Sequence, residues 1–199
     1  MNAVVGFRNA DQQRGVDVSG TGVGPYIYGA DNEPERATYG TGVFGIAPGA
    51  TPTDFLTIFN NSASKIARIK SCIVSGIATA AANIQVQSLR RTTVDSGGTF
   101  VALTPTPHDS SDTASAMTVG YYTAAPTGLG TLAGVLHPAR LNLAPAANGS
   151  IDRTTQWQYT WQNDKAMIIR PGFIWALNLA GQAWPTGGLL DVDIMWTEE

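Results

Sequence analysis

From residue 53 onward, apolar and polar side chains alternate along the chain with a period of two. Leu190, Val192, Ile194 and Trp196 fall on one parity and Asp191, Asp193 and Thr197 on the other, the pattern of a strand with one buried and one solvated face. Phe173, Trp175, Leu177 and Leu179 repeat it, as do Trp157, Tyr159 and Trp161 against Gln156, Gln158 and Gln162. Earlier stretches rich in β-branched and aromatic residues cover 54–59, 65–75, 83–94, 99–104, 116–123 and 132–143, so the pattern predicts about nine strands.

The separators are turn chemistry: NNSAS at 60–64, DSGG at 95–98, PTPHDSS at 105–111, APAANGS at 144–150 and WPTGG at 184–188. They are too short to hold the helices that parallel crossovers need. The expected fold is therefore all-β, an antiparallel β-sandwich of jelly-roll type. The strand order is not readable at this level.

Residues 1–52 differ. They hold ten of the 22 glycines, few aliphatic side chains and two copies of GTGV, at 20–23 and 40–43. Two copies are too few for a repeat architecture, and the segment reads as an extended Gly-rich interaction arm ahead of a sandwich domain over 53–199. Tyr26, Ile27, Tyr28, Tyr39, Val43 and Phe44 stand between its glycines and need cover, for which a neighbouring subunit is the natural source. Deleting residues 1–50 is then expected to leave a folded body that has lost its partner.

Composition narrows the classes. Charged residues are 14% and hydrophobic residues 43% of 199, against an average charged share of about 25%, which excludes a charged disordered chain and a coiled coil. A net charge of −3 gives no global field for binding polyanions or membrane surfaces. Cys72 is the only cysteine; it allows no internal disulfide and reads as a small buried filler in IKSCIVSGIA. The start lacks a basic-then-apolar leader and no window reaches the roughly 18 apolar residues of a membrane span, so synthesis in a cytoplasm is expected.

Motifs with chemistry are few. DSGG at Asp95–Gly98 resembles the nucleophile segment of chymotrypsin-like proteases, but His108 and His137 both follow Ser96 and the flanking strands make it a loop. GTGVFG at 40–45 matches a dinucleotide fingerprint, yet Pro48 and Pro52 deny it the helix that would hold a pyrophosphate. His108, Asp109 and Asp112 offer metal ligands in a loop where Asp109 more simply caps a turn. Asp191 and Asp193 share a face as paired glycosidase carboxylates do, and as any solvated strand face does. No cofactor is implied.

Binding surfaces are better represented. Arg68 and Lys70 share a parity, and Arg90 and Arg91 lie on a strand read as a neighbour, so one sheet face is expected to be locally basic and to suit a carboxylate-rich partner. The plainer alternative is a solvated face with edge-protecting charges. Trp157, Tyr159 and Trp161 would form an aromatic platform for glycans, although aromatics on an apolar parity more often serve core or interface. Trp184, beside Pro185 in a loop, is the more exposed candidate.

Taken in order, FLTIFNNSASKIARIKSCIVSG (55–76), LRRTTVDSGGT (89–99), PTPHDSSDTASA (105–116), a late PGFIWALNL and the final LLDVDIMWTE resemble small β-rich virion proteins of tailed bacteriophages, of the capsid decoration, head-fibre and minor structural kinds. The resemblance covers about 53–199 and includes no catalytic motif. It implies a noncatalytic component of the outer capsid surface, a decoration or cement protein. Its partners would be the major capsid protein and neighbouring copies of itself, as a homotrimer, without direct nucleic acid or membrane contact. A neck, tail or head-fibre protein binding host glycans through Trp184 and the Trp157–Trp161 face is the alternative. A β-sandwich hydrolase would need His108, His137 or the Asp191 and Asp193 pair to converge.

Overall fold

The computed structural model describes residues 4–9, 12–17, 36–48, 53–145, 155–158 and 166–199. The chain divides into two units, Met1–Glu35 and Arg36–Glu199. In the first, β1 (Val4–Asn9) and β2 (Gln12–Asp17) pair antiparallel, so this part of the expected arm is a hairpin. Tyr26 and Tyr28 lie outside the described residues.

The second unit runs β3 (Ala37–Ile46), β4 (Asp54–Asn60), β5 (Ala67–Ala78), β6 (Ala82–Arg91), β7 (Thr99–Leu103), β8 (Thr106–Pro107), β9 (Met117–Ala124), β10 (Leu132–Pro145), β11 (Thr155–Gln158), β12 (Met167–Ile169), β13 (Ile174–Asn178) and β14 (Leu189–Glu198). Every stretch that alternation marks holds a strand, and no helix occurs among the described residues. The strands form one hydrogen-bonded path, β7-β9-β4-β13-β6-β10-β5-β14-β3-β8, with β11 and β12 also on β5. The sheet curls strongly into a half-barrel. It is mixed rather than wholly antiparallel, because Ala144 and Pro145 of β10 run parallel to Ile77 and Ala78 of β5.

The path places β7 and β8 at its two ends, yet only Thr104 and Pro105 separate them in sequence. At 3.3–3.6 Å per residue, that connection holds the two ends within roughly 11 Å. The curl is thus set by topology as well as by strand twist.

The inner face carries the main core, with Tyr39, Leu56, Ile58, Ile84, Val86, Trp175, Leu177, Val192, Ile194 and Trp196 buried in one cluster. Register explains the membership, since side chains directly opposite one another share a face: Trp196 faces Tyr39, and Trp175 faces Ile58 and Arg90. In β5 the parity changes midway. Trp196 pairs with Ile69 but Met195 with Ser71, leaving Lys70 as the extra residue of a bulge. Ala67 and Ile69 therefore point inward before it and Cys72 and Val74 after it, while Ile73 turns outward. Strict alternation had put Ile69 and Ile73 on one face.

The arm boundary at 52 also moves. Residues 37–46, with the second GTGV, form β3, which pairs with β14 from Ala37 to Ile46. Tyr39 is fully buried, its ring 6.0 Å from that of Trp196 and its hydroxyl donating to Thr113 O at 2.8 Å. Glycines hid this strand: Gly40 and Gly42 occupy its outward positions, with His108 Nε2 and Asp193 Oδ1 where their Cβ atoms would look.

Asn60 closes the FNNSAS turn from inside. Its amide donates to Lys65 O and Ile169 O, both at 2.9 Å, and its Oδ1 accepts from Ser62 N at 3.0 Å. One buried side chain so joins the end of β4, the following turn and β12.

Candidate functional site

The four arginine and lysine positions expected on one basic face are separated by the fold. Arg68 and Lys70 point outward from β5, and Arg68 is held by Glu199. That contact, with Arg36 at 2.7 Å, keeps the Glu199 carboxyl below its ordinary value, the hydrogen bond from Arg68 being the main cause. β6 is not a neighbour of β5 along most of its length, because β10 lies between them in the path. Arg90 shares the inner face with Trp175, whereas Arg91 lies on the opposite face.

Arg91 is not a surface residue at all. It is 5% exposed and forms a two-pronged pair with the fully buried Asp54, Nε to Oδ2 at 2.6 Å and Nη2 to Oδ1 at 2.8 Å. Nη1 donates to Gly130 O at 2.8 Å, and Asn178 donates to Asp54 Oδ1 at 2.6 Å. Asp95 completes the cluster, 3.6 Å from Arg91 Nε and accepting from Gly130 N at 2.8 Å. Buried charges persist when paired and hydrogen-bonded in this way. Here the network ties the DSGG loop and the segment through Gly130 down onto the outer face of β4, β13 and β6.

One cation faces two carboxylates. Burial pushes Asp95 up to about 6, with Asp54 raising it further against the Gly130 hydrogen bond and Arg91. The folded state therefore prefers protonated Asp95. Its contribution to stability is complete below about pH 4 and is lost as pH rises through about 6. Thermal melts should give a higher midpoint at pH 5 than at pH 7.5, and Asp95→Asn, which mimics the neutral acid, should flatten that dependence. An unchanged slope in the variant would assign the effect elsewhere. Glu199 has the opposite sign: its contribution is complete above the ordinary carboxylate range and is lost as pH falls below it.

The aromatics are largely committed to the core. Trp157 pairs with Cys72 on the inward side of β11 and is 8% exposed, with Gln156 and Gln158 outward; Tyr159 and Trp161 lie outside the described residues. Trp184, expected to stand out in its loop, packs against the core edge, and its indole N–H donates to Gly188 O at 2.9 Å. A Cβ on Gly188 would sit 2.8 Å from that ring, so glycine lets the indole lie on the backbone.

Phe44 is the opposite case. It is 89% exposed, at a bulge where Phe44 and Gly45 oppose Asp191. Gly45 takes a left-handed φ of 74° and donates to Asp191 Oδ1 at 2.9 Å, which holds the turn that presents the ring. Val94, Leu129 and Leu132 are also exposed, at 51%, 42% and 52%. They stand on adjoining segments, with Thr92 N bonded to Thr131 O and Ser96 N to Gly128 O.

Asp109 caps its turn, accepting from the Ser111 N–H and hydroxyl, both at 2.8 Å, which lowers its pKa. His108 lies over Gly40 and the Asp193 carboxylate beside Gly42 on the outside of β3, while His137 stands on β10. Cys72 is fully buried and its thiol pushed up by desolvation, as a filler should be.

Two grooves remain. One, of about 620 Å³, opens on the outside between β3, β14, β5 and β11, with Lys70, Ser71, Gln156 and Gln158 among its walls. The other, of about 610 Å³, lies at the mouth of the half-barrel between β6, β10 and β12, lined by Arg90, Leu136, His137, Met167, Arg170 and Phe173. Of the residues in this second groove, Arg90 and His137 were legible as candidates, in separate readings; their convergence depends on strand order. Comparison with protein-family models, with curated protein sequences and with solved structures gives no match for this chain.

Proposed function

We propose that the chain is a noncatalytic structural protein of a tailed-bacteriophage virion, a decoration or cement protein that adheres to the outer capsid shell and to copies of itself. In this reading the half-barrel is the counterpart of the jelly-roll-like sandwich of such proteins. The observation that supports it best is Phe44, a large apolar ring 89% exposed on a backbone pinned by Asp191. Such a side chain contributes little to its own fold and much to an interface. The exposed Val94, Leu129 and Leu132, held in place by the buried Arg91 network, extend the same argument to a second surface. Adhesion of this kind is multivalent, so weak patches repeated over a lattice suffice.

The glycan-binding alternative loses its two described aromatics, since Trp157 is inward and Trp184 is tied to Gly188. Quantitative mass spectrometry of purified particles is the test. Abundance comparable to the main shell protein is expected, and Phe44→Asp should cut the particle-bound share about tenfold without lowering the melting midpoint. A small fraction would move the chain to the neck or tail, and absence would overturn the reading.

A further inference from the structure

The groove at the mouth of the half-barrel joins two cationic side chains to an apolar wall. Arg90 lies with its guanidinium carbon 6.0 Å from the centroid of the Phe173 ring, and its Nε is buried with no hydrogen-bond partner. Its register neighbour Trp175 likewise keeps a buried indole N–H without an acceptor. Arg170, exposed, also lines the groove, just beyond β12. Neither arginine has a carboxylate within ion-pair distance among the described residues. Among the described residues, the other buried arginine is satisfied: Arg91 spends its donors on Asp54 and Gly130. Buried donors left without acceptors are rare and call for one.

The groove also has a backbone edge. β12 pairs with β5, and among the described residues its other edge carries no ladder, the arrangement that suits an added strand. Leu136, Met167 and Phe173 supply apolar surface beside it. Guanidinium forks suit carboxylates in two-pronged geometry, and an open strand edge suits a polypeptide.

From this arrangement we infer that the groove between β6, β10 and β12 binds an acidic, extended segment of a partner polypeptide. Its carboxylates meet Arg90 and Arg170, its apolar side chains rest on Leu136, Met167 and Phe173, and its backbone adds to β12. The inference rests on the adhesion reading and names the chemistry of one partner surface.

The probe is a fluorescein-labelled octapeptide of alternating Glu and Val, titrated with the full chain and followed by anisotropy. A Gln-Val octapeptide and free glutarate serve as comparisons. Expected are saturable binding of the Glu-Val peptide that weakens as salt rises, a loss of about tenfold in Arg170→Gln and in Arg90→Gln, and no loss in Lys70→Gln. Arg170 is exposed, so its variant tests the groove even where Arg90→Gln disturbs the fold. No binding, equal binding of the Gln-Val peptide, or indifference to Arg170→Gln would overturn the inference. Glutarate competing as well as the peptide would also overturn it, by making the groove a site for small carboxylates. The particle measurement fails separately: a chain abundant on particles that ignores the peptide loses this groove alone, and a chain that binds the peptide but is absent from particles loses only its virion role.

Discussion

Deleting residues 1–35 should leave a body that melts cooperatively, whereas deleting residues 1–50 should abolish the folded state. The difference is β3. It supplies fully buried Tyr39 and Ile46 at 1% exposure, and it covers one side of β14 from Leu190 to Glu198. Burying a large side chain is worth about 1.5–3 kcal/mol, and the exposed ladder of β14 would lose its hydrogen bonds in addition. Against a total stability of roughly 5–15 kcal/mol, the loss is comparable to the whole. Near-ultraviolet circular dichroism reports it directly, since Trp196 stacks on Tyr39. A 51–199 fragment with native near-ultraviolet bands and a cooperative melt would show that β3 is dispensable and restore the longer arm.

Breaking the Arg91–Asp54 pair is the second large effect. Removing one partner of a buried pair leaves an uncompensated charge and costs about 3–5 kcal/mol. The two sides are not equivalent here. Asp54→Ala leaves Arg91 facing Asp95, 3.6 Å away, while Arg91→Ala leaves two carboxylates with no cation between them. Arg91→Ala should therefore be the more destabilising in urea titrations, and Arg91→Met with Asp54→Leu together should cost less than the sum of the single changes. Additive losses would mean that the two groups do not act as a pair. Because Gly130 is bound by both Arg91 and Asp95, these variants should also loosen Leu129 and Leu132 at the proposed adhesion surface.

The legible part of the fold is the part governed by period two. β13 and β14 lie where the parity of Trp175 and Leu177 and that of Val192, Ile194 and Trp196 put strands. β5 was located but its faces were misassigned after Lys70, because a bulge shows in hydrogen bonding and not in residue type. β3 was missed for a related reason: its inward Tyr39, Thr41 and Val43 do alternate, but with glycines outward the segment reads as an extended arm that needs cover from a neighbour. Arg91 and Asp54 lie 37 residues apart, and adjacency of their strands through β13 cannot be seen from spacing. The mouth groove failed for the same cause, since Met167, Arg170 and Phe173 acquire meaning only when β12 is set opposite β6 and β10. Of the described arm aromatics, Phe44 is exposed and Tyr39 is buried, a difference that their shared setting between glycines does not reveal.

β14 lies inside the sheet path, between β5 and β3, although it follows every other described strand in sequence. Until residues 189–198 have left the ribosome, β3 has no ladder to join on that side, and the inner faces of Tyr39, Ile69 and Val74 have no Trp196, Ile194 or Val192 to meet. Long-range pairings of this kind make assembly slow relative to local hairpins. The body's apolar trough thus stays open until Leu189–Glu198 has been made, and it fills only when β14 enters between strands that were completed long before it.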